Sequence, residues 1–433
     1  MVMLSLPVLI SLVAEPLTGL VDTAFVARLG TVPLAALGVG TTALSSAFWI
    51  FNFLSIGTQT SVAQALGKQD TKRVAQVISL ALALAIMFSV ATMLLFSPLL
   101  GNLAELLGAS DQVKVDAVSY MQVRLFGAPA ILIMLVAFGA LRGKQDMQTP
   151  LWIAVAVNVL NMGLDGVLIF GLGPIPALNV AGAALASILS QWIGAIASLI
   201  AIRRSFGFSS EINWHDARAL IQVGGDLFVR SGLLILFMML ATRVANEAGA
   251  ASGAAHQAMA KVFIFTALFL DAFSTSTHSL VGYFIGGNQL DVAKKVVKVG
   301  VQWALLTAIA LAGTLWLGTS SLIQLLLPPS AEPIALFHTA WIYAIAGLPI
   351  GALAYLTDGV HWGTSDYRYL RNCMLLATII AGGGLLLIDP NTPTSLTWIW
   401  VLTLLWNTIR AILGLLRVWP GIGESVWKTG NAG

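Results

Sequence analysis

The chain has 433 residues, of which 58% are hydrophobic and 9% are charged; its formal net charge is +3 and its mean hydropathy is +0.89. Soluble domains carry about 25% charged residues, so this composition excludes a soluble globular protein. The scattered basic residues also exclude a nucleic-acid-binding surface. The chain is therefore predicted to be a polytopic membrane protein.

Continuous apolar runs, such as "VISLALALAIMFSVATMLLFSPLL" at 77–100, predict membrane-spanning helices, because strands of a membrane barrel alternate apolar and polar residues. At about 20 residues per span, hydropathy predicts an all-α protein with twelve spans. Their predicted ranges are 3–27, 34–64, 74–99, 118–141, 149–171, 180–203, 218–243, 250–283, 293–317, 334–360, 369–387 and 395–416.

Lysine and arginine are unevenly distributed between the two sides of these spans. With both termini on one side, that side holds fifteen basic residues and the other holds three, Arg28, Lys114 and Arg243. Because cytoplasmic loops are enriched in Lys and Arg, the imbalance predicts cytoplasmic termini and a multi-pass protein of the cell (inner) membrane.

An internal repeat relates the two halves of the chain. A shift of about 219 positions aligns matched residues, including Ser55/Ser274, Val62/Val281, Gly139/Gly359 and Gly143/Gly363. Each half has six spans, so the halves enter the membrane in the same orientation, and we predict two six-helix bundles related by a pseudo-two-fold axis along the membrane normal. The predicted domains are 1–205, a cytoplasmic linker at 206–217, and 218–433.

The first span carries two acids in an apolar segment, Glu15 and Asp22. A charge at the centre of a spanning helix costs about 2.5–3.5 kcal/mol, so such residues usually serve a function. Seven residues turn a helix by about 700°, which places the two acids about 20° apart on one face. Pro16 removes the backbone hydrogen bond to Leu12 and is the predicted hinge. The alternative for Glu15 is a packing role beside this bend.

The fifth span places Asn158, Asn161 and Asp165 on one helical face, because they are spaced three and four residues apart. Two amides and a carboxylate on an apolar helix predict a cation or proton site, with interhelical hydrogen bonding as the structural alternative. Ser187 on the sixth span offers a hydroxyl, although such hydroxyls more often serve packing.

The second half lacks the acids of the first span, because Ala241 and Leu234 stand at the repeat positions of Asp22 and Glu15. Asp226 and Arg230, four residues apart, are predicted to form an ion pair. Asp271 and its repeat partner Asn52 are candidate cavity residues. Asp358 and His361, at the end of the tenth span, are predicted to lie at the membrane interface.

Motifs of enzymes are missing from the sequence. It contains neither a GxxxxGK[ST] phosphate-binding loop nor an HExxH zinc motif, so we expect neither catalysis nor ATP hydrolysis by this chain. Its single cysteine, Cys373, excludes a disulfide framework or a cysteine metal cluster. No cofactor is expected, and no metal beyond Na⁺ at the cation site.

Several segments together resemble the MATE (multidrug and toxic compound extrusion) family, and most closely its DinF-type branch. They are "LPVLISLVAEPLTGLVDTAFVARLGTVPLAALG", "TQTSVAQALGKQD", "LRGKQDMQTPLWIAVAVNVLNMGLDGVLIFGLG" and "NVAGAALASILSQ". The resemblance covers nearly the whole chain. It implies two six-helix bundles in a V shape, and export of organic, often cationic or amphipathic, compounds driven by inward H⁺ or Na⁺ flow.

The same resemblance implies a cation site in the N-terminal bundle. The family's aspartate on span one corresponds to Asp22, its asparagine and aspartate on span five to Asn161 or Asn158 with Asp165, and its span-six threonine to Ser187. The NorM-type branch instead places acids on spans seven and ten, where this chain offers Asp226 and Asp358. Because Asp226 lies near the start of its span and is predicted to pair with Arg230, and because Asp358 has no obvious partner acid, the N-terminal site is favoured.

These observations predict a secondary active antiporter that works by alternating access, with H⁺ preferred and Na⁺ as the alternative coupling ion. A proton entering from outside neutralises Asp22 and Asp165, and the first span then bends near Pro16. One alternative is a lipid-linked precursor flippase, which would carry more cavity cations than Lys261 and Arg124 provide; another is an uncoupled channel or receptor. The expected partners are small organic molecules and the lipid bilayer, without nucleic acid, and the protein is expected to be a monomer.

Overall fold

The structure, a computed structural model, describes residues 1–211 and 215–431, without the side chains of Glu15, Ser46, His215 and residues 429–431. Apart from one isolated bridge between Leu172 and Ile175, its regular elements are helices. The α-helices are α1 Val2–Ala27, α2 Thr31–Trp49, α3 Asn52–Gly67, α4 Thr71–Phe96, α5 Leu100–Leu106, α6 Asp111–Leu125, α7 Ala128–Gly143, α8 Gln148–Phe170, α9 Asn179–Phe206, α10 His215–Glu247, α11 Ala250–Gly286, α12 Leu290–Leu317, α13 Thr319–Leu326, α14 Ala331–Gly363, α15 Tyr367–Ala377, α16 Gly383–Leu385 and α17 Ser395–Val418.

Ten of the described helical segments are long and apolar enough to cross a membrane, with α2–α3 and α4–α5 each counted as one. The predicted fourth span is a pair, α6 and α7, bent by 50° where Gly127 and Pro129 interrupt the helix. The predicted eleventh span is divided by a π-helical turn at Thr378–Gly382 between α15 and α16. These two irregular segments and the ten helices account for the twelve predicted spans, but neither irregular segment is one straight helix.

Contacts divide the chain into two compact units: Ile10–Gly224, here called the N-unit, and Met1–Leu9 with Gly225–Gly433, here called the C-unit. The division differs from the predicted domains, which ended at 205 and resumed at 218. The start of α10 stays with the N-unit, where Gly224 packs on the Phe53 ring. Met1–Leu9 joins the C-unit, where Ser5 Oγ donates to Ser276 Oγ at 3.1 Å.

The predicted linker 206–217 lies partly outside the described residues, and its described part is fastened to α4. Lys72 Nζ lies 2.8 Å from Glu211 Oε2, and Arg73 Nη1 lies 2.6 Å from Asp216 Oδ2. The hydrogen bond from the Lys72 ammonium holds the pKa of the exposed Glu211 carboxyl below its ordinary value. Two ion pairs therefore hold the described part of the linker against the start of α4.

The internal repeat appears inside each unit as the same close approach of two helices. In the N-unit, Gly139 of α7 packs directly against the Ser55 carbonyl of α3. In the C-unit, the repeat partner Gly359 of α14 packs in the same way against the Ser274 carbonyl of α11. A side chain at either glycine would collide with backbone, which explains why both halves carry glycine there.

The next turn of the same helices repeats the contact. A Cβ at Gly143 would lie 2.8 Å from the Gln59 carbonyl oxygen, and a Cβ at Gly363 would lie 2.8 Å from the His278 carbonyl oxygen. Gln59 and His278 are separated by the repeat offset, although their side chains differ. The matched glycines are thus a shared packing device, in line with close approach at small residues in membrane helices.

We expect Gly139→Ala and Gly359→Ala each to lower the free energy of unfolding by about 1–3 kcal/mol, because the added methyl group meets backbone that cannot move aside. The measurement is thermal unfolding of the purified protein in detergent. Gly163→Ala in α8 and Gly232→Ala in α10 are matched controls, since a Cβ at either would meet nothing within 4 Å. Equal melting temperatures for the packed and the open glycine variants would contradict the expectation.

Candidate functional site

The carboxylates of Asp22 and Asp165 meet inside the N-unit. Asp22 of α1 is half-buried, Asp165 of α8 is fully buried, and the two side chains lie within hydrogen-bonding reach of each other. No described protein donor satisfies either oxygen of Asp165. Two ionised carboxylates are both acceptors, so this contact is favourable only when a proton or a cation lies between them.

The turn between α8 and α9 sets the geometry of the site. The Leu178 N–H donates to the Leu168 carbonyl oxygen at 2.9 Å, and Gly182 of α9 packs against that same carbonyl. This close approach brings the buried Ser187 of α9 opposite Asn161 of α8. One turn of helix beyond Asn161 lies Asp165, so the two α8 side chains share the face that meets α9.

Asn161 connects the acids to α9. One orientation of its amide places Nδ2 3.4 Å from Ser187 Oγ. The opposite orientation satisfies both ends: Nδ2 donates to Asp22 Oδ1 at 3.1 Å, and Oδ1 accepts from the Ser187 backbone N–H at 3.3 Å. We adopt the second orientation, since amide orientation is assigned from the hydrogen-bond network. Asn161 then orients Asp22 and leaves the Ser187 hydroxyl available.

The structure distinguishes between the two asparagines on the predicted polar stripe. Asn161 is 3% exposed and contacts the acids, whereas Asn158 is half-buried and makes no side-chain hydrogen bond to Asp22, Asp165 or Ser187. Pro16 lies within α1, which is assigned as one helix from Val2 to Ala27, so its role as a hinge stays a prediction. The predicted role of Glu15 falls on a side chain outside the described residues.

Carboxylate, amide and hydroxyl oxygens converge at this point from three helices. Hard monovalent and divalent cations take such oxygen ligands, and a pair of touching carboxylates also holds a shared proton. The arrangement of Asp22, Asn161, Asp165 and Ser187 can therefore hold a small cation or a proton inside the N-unit. Because Asp165 is fully buried, adding or removing that charge changes the local energy strongly.

From the sequence, Arg124 was named only as a possible cavity cation, and Tyr120 and Gln191 were not assigned to this site. Arg124 Nη1 of α6 donates to Gln191 Oε1 of α9 at 2.6 Å. The guanidinium also reaches the hydroxyl of the buried Tyr120 and interacts electrostatically with both Asp22 and Asp165. The only available signals were the four-residue spacing of Tyr120 and Arg124 and that of Ser187 and Gln191, which place each pair on one helix face.

The C-unit contains a buried ion cluster instead of the predicted Asp226–Arg230 pair. Arg230 of α10 pairs with Asp358 of α14, and Arg410 Nη2 of α17 lies 2.8 Å from the same Asp358 oxygen. Arg410 also lies 4.4 Å from the centroid of the Trp406 ring. The predicted ion pair is therefore wrong, because the guanidinium of Arg230 is drawn to a more deeply buried carboxylate on a neighbouring helix.

The structure also gives the partners of the other titratable residues singled out in the C-unit. Asp226 pairs with Arg371 at 2.7 Å and approaches Arg368 at 3.9 Å. Asp358 and His361 are 4% and 0% exposed, so both pack against other helices, and the His361 ring meets the Gly414 carbonyl oxygen at 3.0 Å. Their predicted depth at the membrane interface stays a prediction. Both side chains are buried because α14 packs along α17 at this level.

The predicted cavity residues occupy different environments. Asn52 is exposed at the start of α3, whereas Asp271 is half-buried on α11 and interacts electrostatically with Tyr355, as do Asp358 and both arginines of the buried cluster. A groove of about 690 Å³ lies instead along α10 of the C-unit; its lining residues are Ile235, Met238, Met239, Thr242, Arg243, Asn246 and Glu247. Met238 and Met239 contribute flexible apolar side chains to the lining of this groove.

Comparisons with known proteins agree with this architecture. The sequence profile of the family described as MatE matches residues 7–167 and 227–382. The chain is 29% identical over 438 residues to Protein DETOXIFICATION 44, chloroplastic, of Arabidopsis thaliana, covering 98% of this chain and 82% of that protein. It is 29% identical over 442 residues to DNA damage-inducible protein F of Escherichia coli (strain K12), covering 99% of this chain and 92% of that protein.

Solved structures show the same fold. A crystal structure of MATE in the bent conformation superposes with a TM-score of 0.86 at 21% sequence identity, covering 96% of this chain and 93% of that chain. Twelve predicted spans, two units with repeated internal contacts, and these similarities all agree on one architecture.

Proposed function

Because the chain belongs to the MATE family of multidrug and toxic compound extrusion transporters, we propose that it exports organic compounds in exchange for inward-moving H⁺ by alternating access. The compounds are expected to be cationic or amphipathic. The proposed location is the cell (inner) membrane, with both termini in the cytoplasm, and it is supported by the uneven distribution of basic residues.

The observation that carries this proposal is the contact of Asp22 with Asp165, whose oxygens accept from no donor among the described residues. A proton arriving from the outer side bridges the two carboxyls and removes the repulsion between them. In that state Asp22, held by Asn161, and Asp165 draw α1 and α8 together. Release of the proton to the cytoplasm restores the repulsion and separates the two side chains.

Coupling requires that the proton and the exported compound favour different conformations of the protein. Protonation changes both the charge near α1 and the hydrogen bonds that α1 makes, so α1 is the proposed moving element, with Pro16 as the proposed bend. Na⁺ is the alternative coupling ion, because the same oxygens of Asp22, Asn161, Asp165 and Ser187 can coordinate it. The functional distinction is whether a pH gradient alone drives export.

The test uses the purified full chain in liposomes and a panel of fluorescent organic cations, including ethidium. A pH gradient and a Na⁺ gradient are imposed separately, and accumulation of each compound against its own gradient is followed. We expect the pH gradient alone to drive accumulation, and nigericin, which collapses it, to stop accumulation. Accumulation driven by Na⁺ without a pH gradient would overturn the choice of ion, and equilibration without accumulation would indicate a channel.

A further inference from the structure

Arg124 places a permanent positive charge beside the carboxylate pair of the N-unit. Arginine stays protonated in proteins, so this charge does not depend on the state of the transport cycle. The guanidinium interacts electrostatically with both Asp22 and Asp165, the two acids of the site. Its role is not explained by the proposed exchange of a proton for an organic compound, which needs only the acids.

The position of the guanidinium is fixed from several directions. Arg124 Nη1 donates to Gln191 Oε1 at 2.6 Å, and Gln191 lies one helical turn beyond Ser187 on α9. The Tyr120 hydroxyl lies within hydrogen-bonding reach, and the Tyr120 ring is itself packed against Gly40 of α2, where a Cβ would lie 2.5 Å away. Gly127, which lies between α6 and α7, leaves room for the ends of both the Gln191 and the Arg124 side chains.

The charges at the site do not balance without an added ion. Asp22 and Asp165 supply two negative charges when ionised, and Arg124 supplies one positive charge. The remaining deficit is a single positive charge, which one proton or one monovalent cation removes. Without Arg124 the deficit would be two positive charges, and the site would attract cations far more strongly. At an effective dielectric constant of about 20, a unit charge at about 8 Å changes the affinity for a monovalent cation by more than tenfold.

We propose that Arg124, held by Gln191, is a resident counter-cation of the Asp22–Asp165 pair that limits the site to one added positive charge and keeps its affinity for Na⁺ low. Arg124 is thus a positioning and ion-specificity residue. It acts on the coupling ion through the acids and does not contact the exported compound. The inference rests on the proposed function only in identifying this pair as the ion site.

The test measures Na⁺ binding without any exported compound or gradient. Purified wild-type protein and variants are melted in detergent over a series of NaCl concentrations, with choline chloride keeping ionic strength constant. Arg124→Gln removes the charge but keeps an amide that can reach Gln191. Gln191→Glu reaches the same charge deficit by a different route, because it keeps Arg124 and adds a carboxylate. Arg124→Lys, which preserves the charge, is the matched control.

We expect Arg124→Gln and Gln191→Glu to be stabilised by Na⁺ at concentrations at least about tenfold lower than wild type, and Arg124→Lys to behave as wild type. In Asp22→Asn/Arg124→Gln the charge deficit returns to one, so the Na⁺ midpoint should return to the wild-type value or above it. A Na⁺ midpoint unchanged in both charge-altering variants, an equal shift in Arg124→Lys, or a double variant whose Na⁺ midpoint stays as low as that of Arg124→Gln would each overturn the inference.

A purely structural role of Arg124 would lower the melting temperature of all three variants without changing its Na⁺ dependence, so this outcome also counts against the proposal. If Arg124→Gln does not fold, Gln191→Glu gives the same comparison. Failure of wild-type protein to accumulate organic cations under a pH gradient would overturn the proposed function but leave this Na⁺ measurement intact. The two ideas therefore fail separately.

Discussion

Replacing Asp165 with asparagine should abolish coupled export and, at the same time, stabilise the folded protein. Asparagine has nearly the shape of a protonated aspartic acid, so the variant resembles a permanently protonated site that cannot release its proton. Export under a pH gradient should fall at least about tenfold, to the level of empty liposomes, since the group removed carries the coupling charge. Asp22→Asn should lose export in the same way.

The stability gain follows from the environment of Asp165. Its side chain is fully buried, and neither oxygen has a described protein hydrogen-bond donor. Leaving a buried polar group unsatisfied costs about 1–3 kcal/mol, and more for a charge, so a neutral amide that can donate to Asp22 should raise the free energy of unfolding by about that amount. Loss of function with a gain in stability is typical of a site held in a strained state for its activity.

The measurement pairs ethidium transport in liposomes with thermal unfolding in detergent. Asp291→Asn is the control, because Asp291 is an exposed carboxylate in the first turn of α12 and should leave both readouts unchanged. Wild-type export by Asp165→Asn would exclude Asp165 as the carrier of the coupling ion. A large fall in its melting temperature would instead indicate that Asp165 is a structural residue.

The second large effect is expected in the C-unit, where Asp358→Ala should destabilise the fold by about 3–5 kcal/mol. Asp358 is 4% exposed and pairs with Arg230 and Arg410, which are 7% and 4% exposed. A buried ion pair adds little net stability compared with apolar packing, but removing one partner leaves the other charge uncompensated. Here the loss of one carboxylate leaves two buried guanidiniums facing each other.

Thermal unfolding and yield of purified protein test this prediction. Glu247→Ala is the control, because it breaks an exposed ion pair: the side chains of Glu247 and Arg243 are 45% and 70% exposed. Such a surface pair contributes less than about 1 kcal/mol to stability. Adding Arg230→Met to Asp358→Ala should recover part of the lost stability, because it removes one of the uncompensated charges. Equal stability of Asp358→Ala and Glu247→Ala would show that the cluster does not depend on its carboxylate.

The buried cluster also bears on where the coupling ion binds. Asp358 lies on the tenth span, which was considered as a second possible acid site from the sequence, but its carboxylate is already neutralised by two arginines of the same unit. A carboxylate in that state has little remaining attraction for a cation. In contrast, the two carboxylates Asp22 and Asp165 of the N-unit share one arginine, Arg124, which leaves one negative charge for a cation to balance and favours the N-unit as the ion site.

Local properties of the sequence were sufficient for the membrane class, the helical fold, the number of spanning segments, the internal repeat and the acids at Asp22 and Asp165. Hydropathy over about 20 residues and the cost of a charge in hydrocarbon depend on neighbouring residues alone. The glycine pairs Gly139/Gly359 and Gly143/Gly363 were visible as matches in sequence, and the structure adds their physical reason, a helix backbone in contact at each one.

Tertiary structure alone decided which of these polar groups meet. Arg230 was predicted to pair with Asp226, four residues away, but it pairs with Asp358, which is 128 residues away. The rotation of α1, α6, α8 and α9 against one another decides that Asn161, and not Asn158, contacts the acids. It also places Arg124 beside the two acids. Successive residues of a helix are about 100° apart around its axis, so a small rotation of the helix changes which side chains meet a neighbouring helix. The spacing of residues along the sequence does not show this rotation.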